Sequence, residues 1–202
     1  MASNPYKVVL LGESGVGKTC IIAQFTNGTF DANTVTSLTA QFIRKTMEFA
    51  DKKAITFDIW DTAGQEKYRS LAKIFYKDAK AIVLVYDITS KDSFVQMKEY
   101  WYEQIKQQGN KDVIIAVAAN KGDLYEKRVI SNEEGEEFAK QIGAIFATTS
   151  AKDDSGILEL FQNIGRKFLH PNSDVNTNSS NDKNRGQKLN NKNGEKVKKG
   201  CC

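Results

Sequence analysis

The stretch Val8-Val9-Leu10-Leu11-Gly12-Glu13-Ser14-Gly15-Val16-Gly17-Lys18-Thr19 joins an apolar run to a glycine-rich turn without a gap. Its last eight residues fit the pattern G-x-x-x-x-G-K-[ST], and a preceding buried-strand signal is the context that pattern requires. Glycines let backbone N–H groups turn inward on phosphate oxygens, Lys18 supplies a point charge beside the outer phosphates, and Thr19 offers a hydroxyl to Mg²⁺. A helix beginning there adds its positive dipole end. The bland alternative is a short βα connection with no ligand, so the rest of the chain has to decide.

Outward from that turn, short aliphatic runs alternate with amphipathic ones, the rhythm of an α/β domain. Strands are predicted at residues 7–11, 42–49, 54–60, 81–86, 113–118 and 144–148, and helices at 18–26, 92–108, 133–142 and 157–169. Asp51-Lys52-Lys53 is too short for a crossover helix, so the second and third strands pair as an antiparallel hairpin. The predicted fold is therefore a mostly parallel six-stranded sheet with one antiparallel edge strand and helices on both faces. The near-continuous apolar runs at 81–86 and 113–118 belong in the middle of the sheet, covered on both sides. Phe94, Met97, Trp101 and Ile105 recur at helical spacing and are assigned to core packing. A ligand of such a sheet sits beyond the carboxyl ends of its strands.

Three further segments fall at that edge. Asp61-Thr62-Ala63-Gly64-Gln65-Glu66 follows the third strand, which places Asp61 to hold Mg²⁺, leaves the Gly64 N–H open to a γ-phosphate, and lets Gln65 orient an attacking water. Asn120-Lys121-Gly122-Asp123 follows the fifth strand, where a carboxylate can accept hydrogen bonds from both N1 and the exocyclic N2 of guanine; adenine has no such donor pair. Ser150-Ala151-Lys152 follows the last strand and can present the Ala151 N–H to guanine O6. Each motif alone is weak, but in series they favour GTP over ATP and argue against an ATP-using kinase or motor.

Over residues 6–170 the chain resembles a small GTPase of the Ras superfamily, a P-loop G domain. Trp60-Asp61-Thr62-Ala63-Gly64-Gln65-Glu66 followed by Tyr68-Arg69-Ser70-Leu71, the run Ala81 through Asp87, and a terminal Cys-Cys after a long polar tail are similar to the Rab pattern. The resemblance implies nucleotide contacts from Ser14, Gly15, Val16, Gly17, Lys18, Thr19, Cys20, Phe30, Ser37 and Gly64, and from Asn120, Lys121, Asp123, Ser150, Ala151 and Lys152. It implies Mg²⁺ held by Thr19, Ser37 and Asp61, with Gln65 as the catalytic residue and Phe42, Trp60 and Phe75 facing effectors. Two loops, about residues 30–42 and 64–76, would be held by the γ-phosphate and released after hydrolysis. The implied partners are GTP and GDP, an exchange factor, a GTPase-activating protein, a GDP-dissociation inhibitor, a prenylation escort and effectors. A monomer that binds no nucleic acid is expected, working at the cytoplasmic face of endomembranes and cycling with the cytosol in vesicle traffic.

One segment departs from the family. Ser37-Leu38-Thr39 stands where Rab proteins carry Thr-Ile-Gly, so Ser37 keeps a hydroxyl for the metal while Thr39 restricts the backbone. Thr34, Thr36 and Thr39 are rivals for that ligand role. This leaves open a second reading, a GTP-dependent effector-binding module with little hydrolysis.

Composition divides the chain into a G domain at 1–170 and a tail at 171–202. The first part holds 22 Lys+Arg against 22 Asp+Glu, the tail 7 against 3, so the net +4 lies wholly in the tail. Poor in apolar residues, the tail cannot bury enough surface to order itself. A basic tail suits nucleic acid or an anionic leaflet, and the terminal Cys201-Cys202 favours the leaflet, since two lipid chains anchor stably where one does not. With roughly 30 flexible residues the mean span is about 30 Å. Neither a secretory signal nor an apolar run near the ~18 residues of a membrane span is present, and cytosolic synthesis is expected. His170 is the sole histidine, which argues against histidine acid–base chemistry.

Overall fold

Val8 and Leu10 turn to one face of the first strand, Val9 and Leu11 to the other, and all four are fully buried. A strand apolar on both faces requires a layer of helices on each side. The computed structural model of the protein, which describes residues 4–33, 41–49, 53–62 and 69–171, has that arrangement. Ser37 with its neighbours Thr34, Thr36 and Thr39, then Gly64, Gln65, Cys201 and Cys202, lie outside the described residues.

The strands are β1 (Tyr6–Leu11), β2 (Gln41–Glu48), β3 (Ala54–Asp61), β4 (Ala81–Asp87), β5 (Ile114–Asn120) and β6 (Ile145–Thr148). Their order is β2-β3-β1-β4-β5-β6. Only β2 runs antiparallel, with Phe42 opposite Trp60 and Arg44 opposite Asp58. Every residue of β4 is buried, as its apolar run predicts. The helices are α1 (Lys18–Asn27), α2 (Arg69–Tyr76), α3 (Lys91–Gln96), α4 (Glu103–Gln108), α5 (Asn132–Gln141) and α6 (Ile157–Leu169). On one face α1 and α6 pack Ile21, Ile22, Phe25, Phe161 and Ile164 against β1 and β3. The other face receives Tyr76, Phe94, Met97, Trp101 and Phe138. Among the described residues no helix is long and apolar enough to cross a membrane.

Two differences from the predicted elements bear on the site. Residues 69–76 were expected within a loop and form α2 instead, whose Ile74, Phe75 and Tyr76 run from exposed through half-buried to buried. The single helix expected at 92–108 is split by a π-helical turn, Met97–Tyr102, between α3 and α4. The expected stripe survives the split: Phe94, Met97, Trp101 and Ile105 are all buried. Spacings of three and four residues suit both helix types, so nothing in the pattern could announce the wider turn.

Candidate functional site

β1 delivers the phosphate loop at the carboxyl edge of the sheet, and α1 begins on Lys18 after Gly17 in a left-handed conformation (φ 95°). A Cβ on Gly17 would lie 2.4 Å from Asn120 Nδ2, so glycine is required there by contact as well as by dihedral. Lys18 is buried, and its Nζ donates to the carbonyls of Gly12 and Glu13, both at 2.9 Å. Burial lowers its ammonium to about 8, opposed by the carboxylates of Asp61 and Glu13. A cation desolvated over a ring of backbone groups is poised for an anion. Ser14 and Gly15 are exposed at the loop's rim, while Val16 is buried behind it.

Thr19 Oγ1 donates to Asp61 Oδ2 at 2.7 Å, bringing together the hydroxyl and the carboxylate predicted as metal ligands. A hydroxyl and a carboxylate are both hard oxygen donors, the kind that Mg²⁺ takes. No cluster of three His, Cys, Asp or Glu stands among the described residues, and Mg²⁺ does not need one, since it takes one or two carboxylates together with substrate phosphates and waters. The donor set therefore fits Mg²⁺. Thr62 Oγ1 donates to the Leu10 carbonyl at 2.6 Å, tying the start of the segment after β3 to the strand before the phosphate loop.

The opposite wall comes from the ends of β5 and β6. Asn120 is buried; its Nδ2 donates to the Val16 carbonyl at 2.8 Å and its Oδ1 accepts from Thr149 Oγ1 at 3.1 Å. It is thus a strut between phosphate loop and base loop rather than an open donor. Lys121 adopts a left-handed conformation (φ 64°) and pairs its Nζ with Asp87 Oδ2 at 2.7 Å. Asp123 lies in the first turn of a 3₁₀ segment, Gly122–Lys127, and accepts from the buried Ser150 Oγ at 2.7 Å. Lys152 Nζ stands 3.9 Å from the other oxygen of Asp123.

These walls enclose one cavity of about 310 Å³. Lys18, Thr19 and Cys20 line its phosphate end, Asn120, Lys121, Asp123, Ala151 and Lys152 its far end, and Phe30 its rim. That volume lies at the small end of ligand sites. Val16 and Ser150 support this lining from behind. The sequence reading missed Asp31, Ala32, Thr62 and Leu124, which also line it. Asp31 and Ala32 follow the predicted Phe30, Thr62 follows Asp61, and Leu124 follows Asp123, so adjacency was the available signal.

Beyond the cavity, Phe42, Trp60 and Phe75 form one aromatic row, with centroids 5.4 Å apart for the first pair and 5.5 Å for the second. Phe42 is 48% exposed, capped by Arg44 over its ring. Three residues from β2, β3 and α2 are thus brought together.

A lysine-centred phosphate loop, a hydroxyl–carboxylate pair and a carboxylate-walled far end, all on the carboxyl edge of a mostly parallel sheet, define the class: a P-loop domain of the small-GTPase type. A sequence model of the Ras family matches residues 7–170. Ras-related protein Rab-22A of Homo sapiens is 38% identical over 202 residues, spanning all of both chains. Ras-related protein Rab-31 of the same species is 42% identical over 168 residues, 83% of this chain and 85% of that protein. The chain belongs to the Ras family, as a small GTPase of the Rab type.

Proposed function

We propose that the chain is a switch that binds GTP, hydrolyses it to GDP and phosphate, and regulates vesicle trafficking from the cytoplasmic face of endomembranes. The observation that carries this reading is a single cavity with Lys18 at one end and Asp123 at the other. Lys18 lies over the β and γ phosphates, and the backbone of residues 14–20 cradles them. Asp123 accepts the guanine N1 and N2 hydrogens, with Ser150 and Lys152 fixing its carboxylate. The Ala151 N–H meets O6, the Lys121 stem covers the base, and Phe30 closes its edge. Thr19, Asp61 and Ser37 would hold Mg²⁺, which would supply charge neutralisation at the phosphates. Gln65 orients the attacking water, and Gly64 N–H holds the γ-phosphate.

Phe42, Trp60 and Phe75 are offered to effectors. Residues 171–202 are a basic tail carrying lipid on Cys201 and Cys202, which escort and extraction factors handle. Exchange and GTPase-activating factors set the cycle, and the switch works as a monomer. Unaided turnover in this class is on the order of 10⁻⁴ per second, for want of an arginine in cis.

The test is single-turnover hydrolysis of γ-labelled GTP by the full chain with Mg²⁺, beside Gln65→Leu. Slow release of phosphate that the substitution suppresses is the expected result. A second reading, an effector-binding module with little hydrolysis, is favoured by Ser37-Leu38-Thr39. Tight GTP binding with no release from either protein, even with an activating protein present, would establish it instead. Displacement of bound guanine nucleotide by ATP would sink both.

A further inference from the structure

We propose that Trp101 is a positioning residue for the phosphate loop, holding it in its nucleotide-retaining shape through Glu13. This rests on the nucleotide reading above. The indole N–H donates to Glu13 Oε1 at 2.9 Å, across 88 residues of sequence. Trp101 is 1% exposed, and a buried indole N–H needs an acceptor. Many acceptors would serve that need, yet the one used belongs to the second residue of the phosphate loop. The main-chain carbonyl of that same residue accepts from Lys18 Nζ. Residue 13 is therefore held at both ends, by the cation of the loop and by a side chain from the layer of helices below it.

The location of Trp101 supports the assignment independently. It sits inside the π-helical turn Met97–Tyr102, the one place where the α3–α4 helix relaxes its winding. π-turns are rare and recur at functional sites. Trp101 is otherwise locked, its ring meeting Tyr100 edge-on at 5.1 Å within the core that α5 also joins. A rigid donor on a packed element can fix a loop, whereas a flexible one cannot. The Glu13 carboxylate also favours the charged form of Lys18, so a carboxylate displaced from Trp101 would disturb the phosphate-facing cation. Core packing alone asks only for the ring; the loop asks for the N–H.

The experiment is release of a fluorescent GDP from the full chain in Mg²⁺, with thermal stability recorded for each variant. Trp101→Phe keeps an aromatic ring and removes the donor, and Glu13→Ala removes the acceptor at a half-buried position outside the hydrophobic core. Each is expected to release GDP about tenfold faster, in line with loss of one charge-assisted hydrogen bond. The double variant should be no faster than either single one. Glu13→Gln, which keeps an acceptor, recovers most of the loss. Unchanged release from a folded Glu13→Ala, or effects of the two substitutions that multiply, would overturn the proposal. Failure of the unsubstituted chain to bind GDP would count against the nucleotide reading instead.

Discussion

Lys18 shows how one side chain can link the site to solution conditions. Its ammonium is depressed to about 8 from 10.5, chiefly by burial, so the folded chain without ligand disfavours the charged form. That cost to folding is fully present below about pH 8 and fades as pH climbs toward 10.5, where the unfolded chain also gives up the proton. Phosphate reverses the preference, because an anion against Nζ stabilises the ammonium, and binding then takes up a proton wherever the free lysine is neutral. GDP affinity should accordingly fall about fivefold between pH 8 and 9. Calorimetric titration at pH 8.5 in two buffers of different ionisation enthalpy should report net proton uptake from this group. No uptake at pH 8.5 would mean that Lys18 already carries its proton in the ligand-free chain, and the fall in affinity above pH 8 would then be absent.

At the scale of elements, α5 is seated by an absence. Gly135 faces the sheet, where a Cβ would lie 2.3 Å from Tyr86 Oη and 2.8 Å from a ring carbon of Phe146. Gly135→Ala gains helix propensity but forces two aromatic rings to move, for a net loss of about 1–2 kcal/mol, read as a lower thermal midpoint. Tyr86 Oη is buried without a hydrogen-bond partner among the described residues, and burial pushes its phenol up, so Tyr86→Phe added to Gly135→Ala should recover much of the loss. The strands were largely legible in the sequence because β4 is apolar on both faces and Asp51-Lys52-Lys53 cannot span a crossover. α2 was not, since it adjoins a motif that reads as a loop. The Trp101–Glu13 bond was not either: helical spacing already accounted for the tryptophan, and nothing local links positions 88 residues apart. At the cavity, motif residues were legible while the strut role of Asn120 was not, because an amide in a turn signals neither its donor's target nor its burial.

For the whole molecule, charge and chemistry divide between a neutral body and a basic tail ending in two thiols. If both carry lipid, the prenylated full chain sediments with anionic vesicles. Replacing both Cys201 and Cys202 by serine should abolish sedimentation, and replacing one should leave it weak and readily reversed, as a single chain gives only marginal residence. Equal sedimentation of the doubly substituted chain would remove the lipid anchor from the account. Within the body, Gly17 and Asn120 meet across the cavity, one lacking a side chain where the other puts its amide. In genetic terms the two positions are coupled but not interchangeable: a lesion at Gly17 displaces Asn120, and no change at position 120 alone can rescue it, because the left-handed backbone at 17 still demands glycine and Asn120 still has to hold Val16 and Thr149.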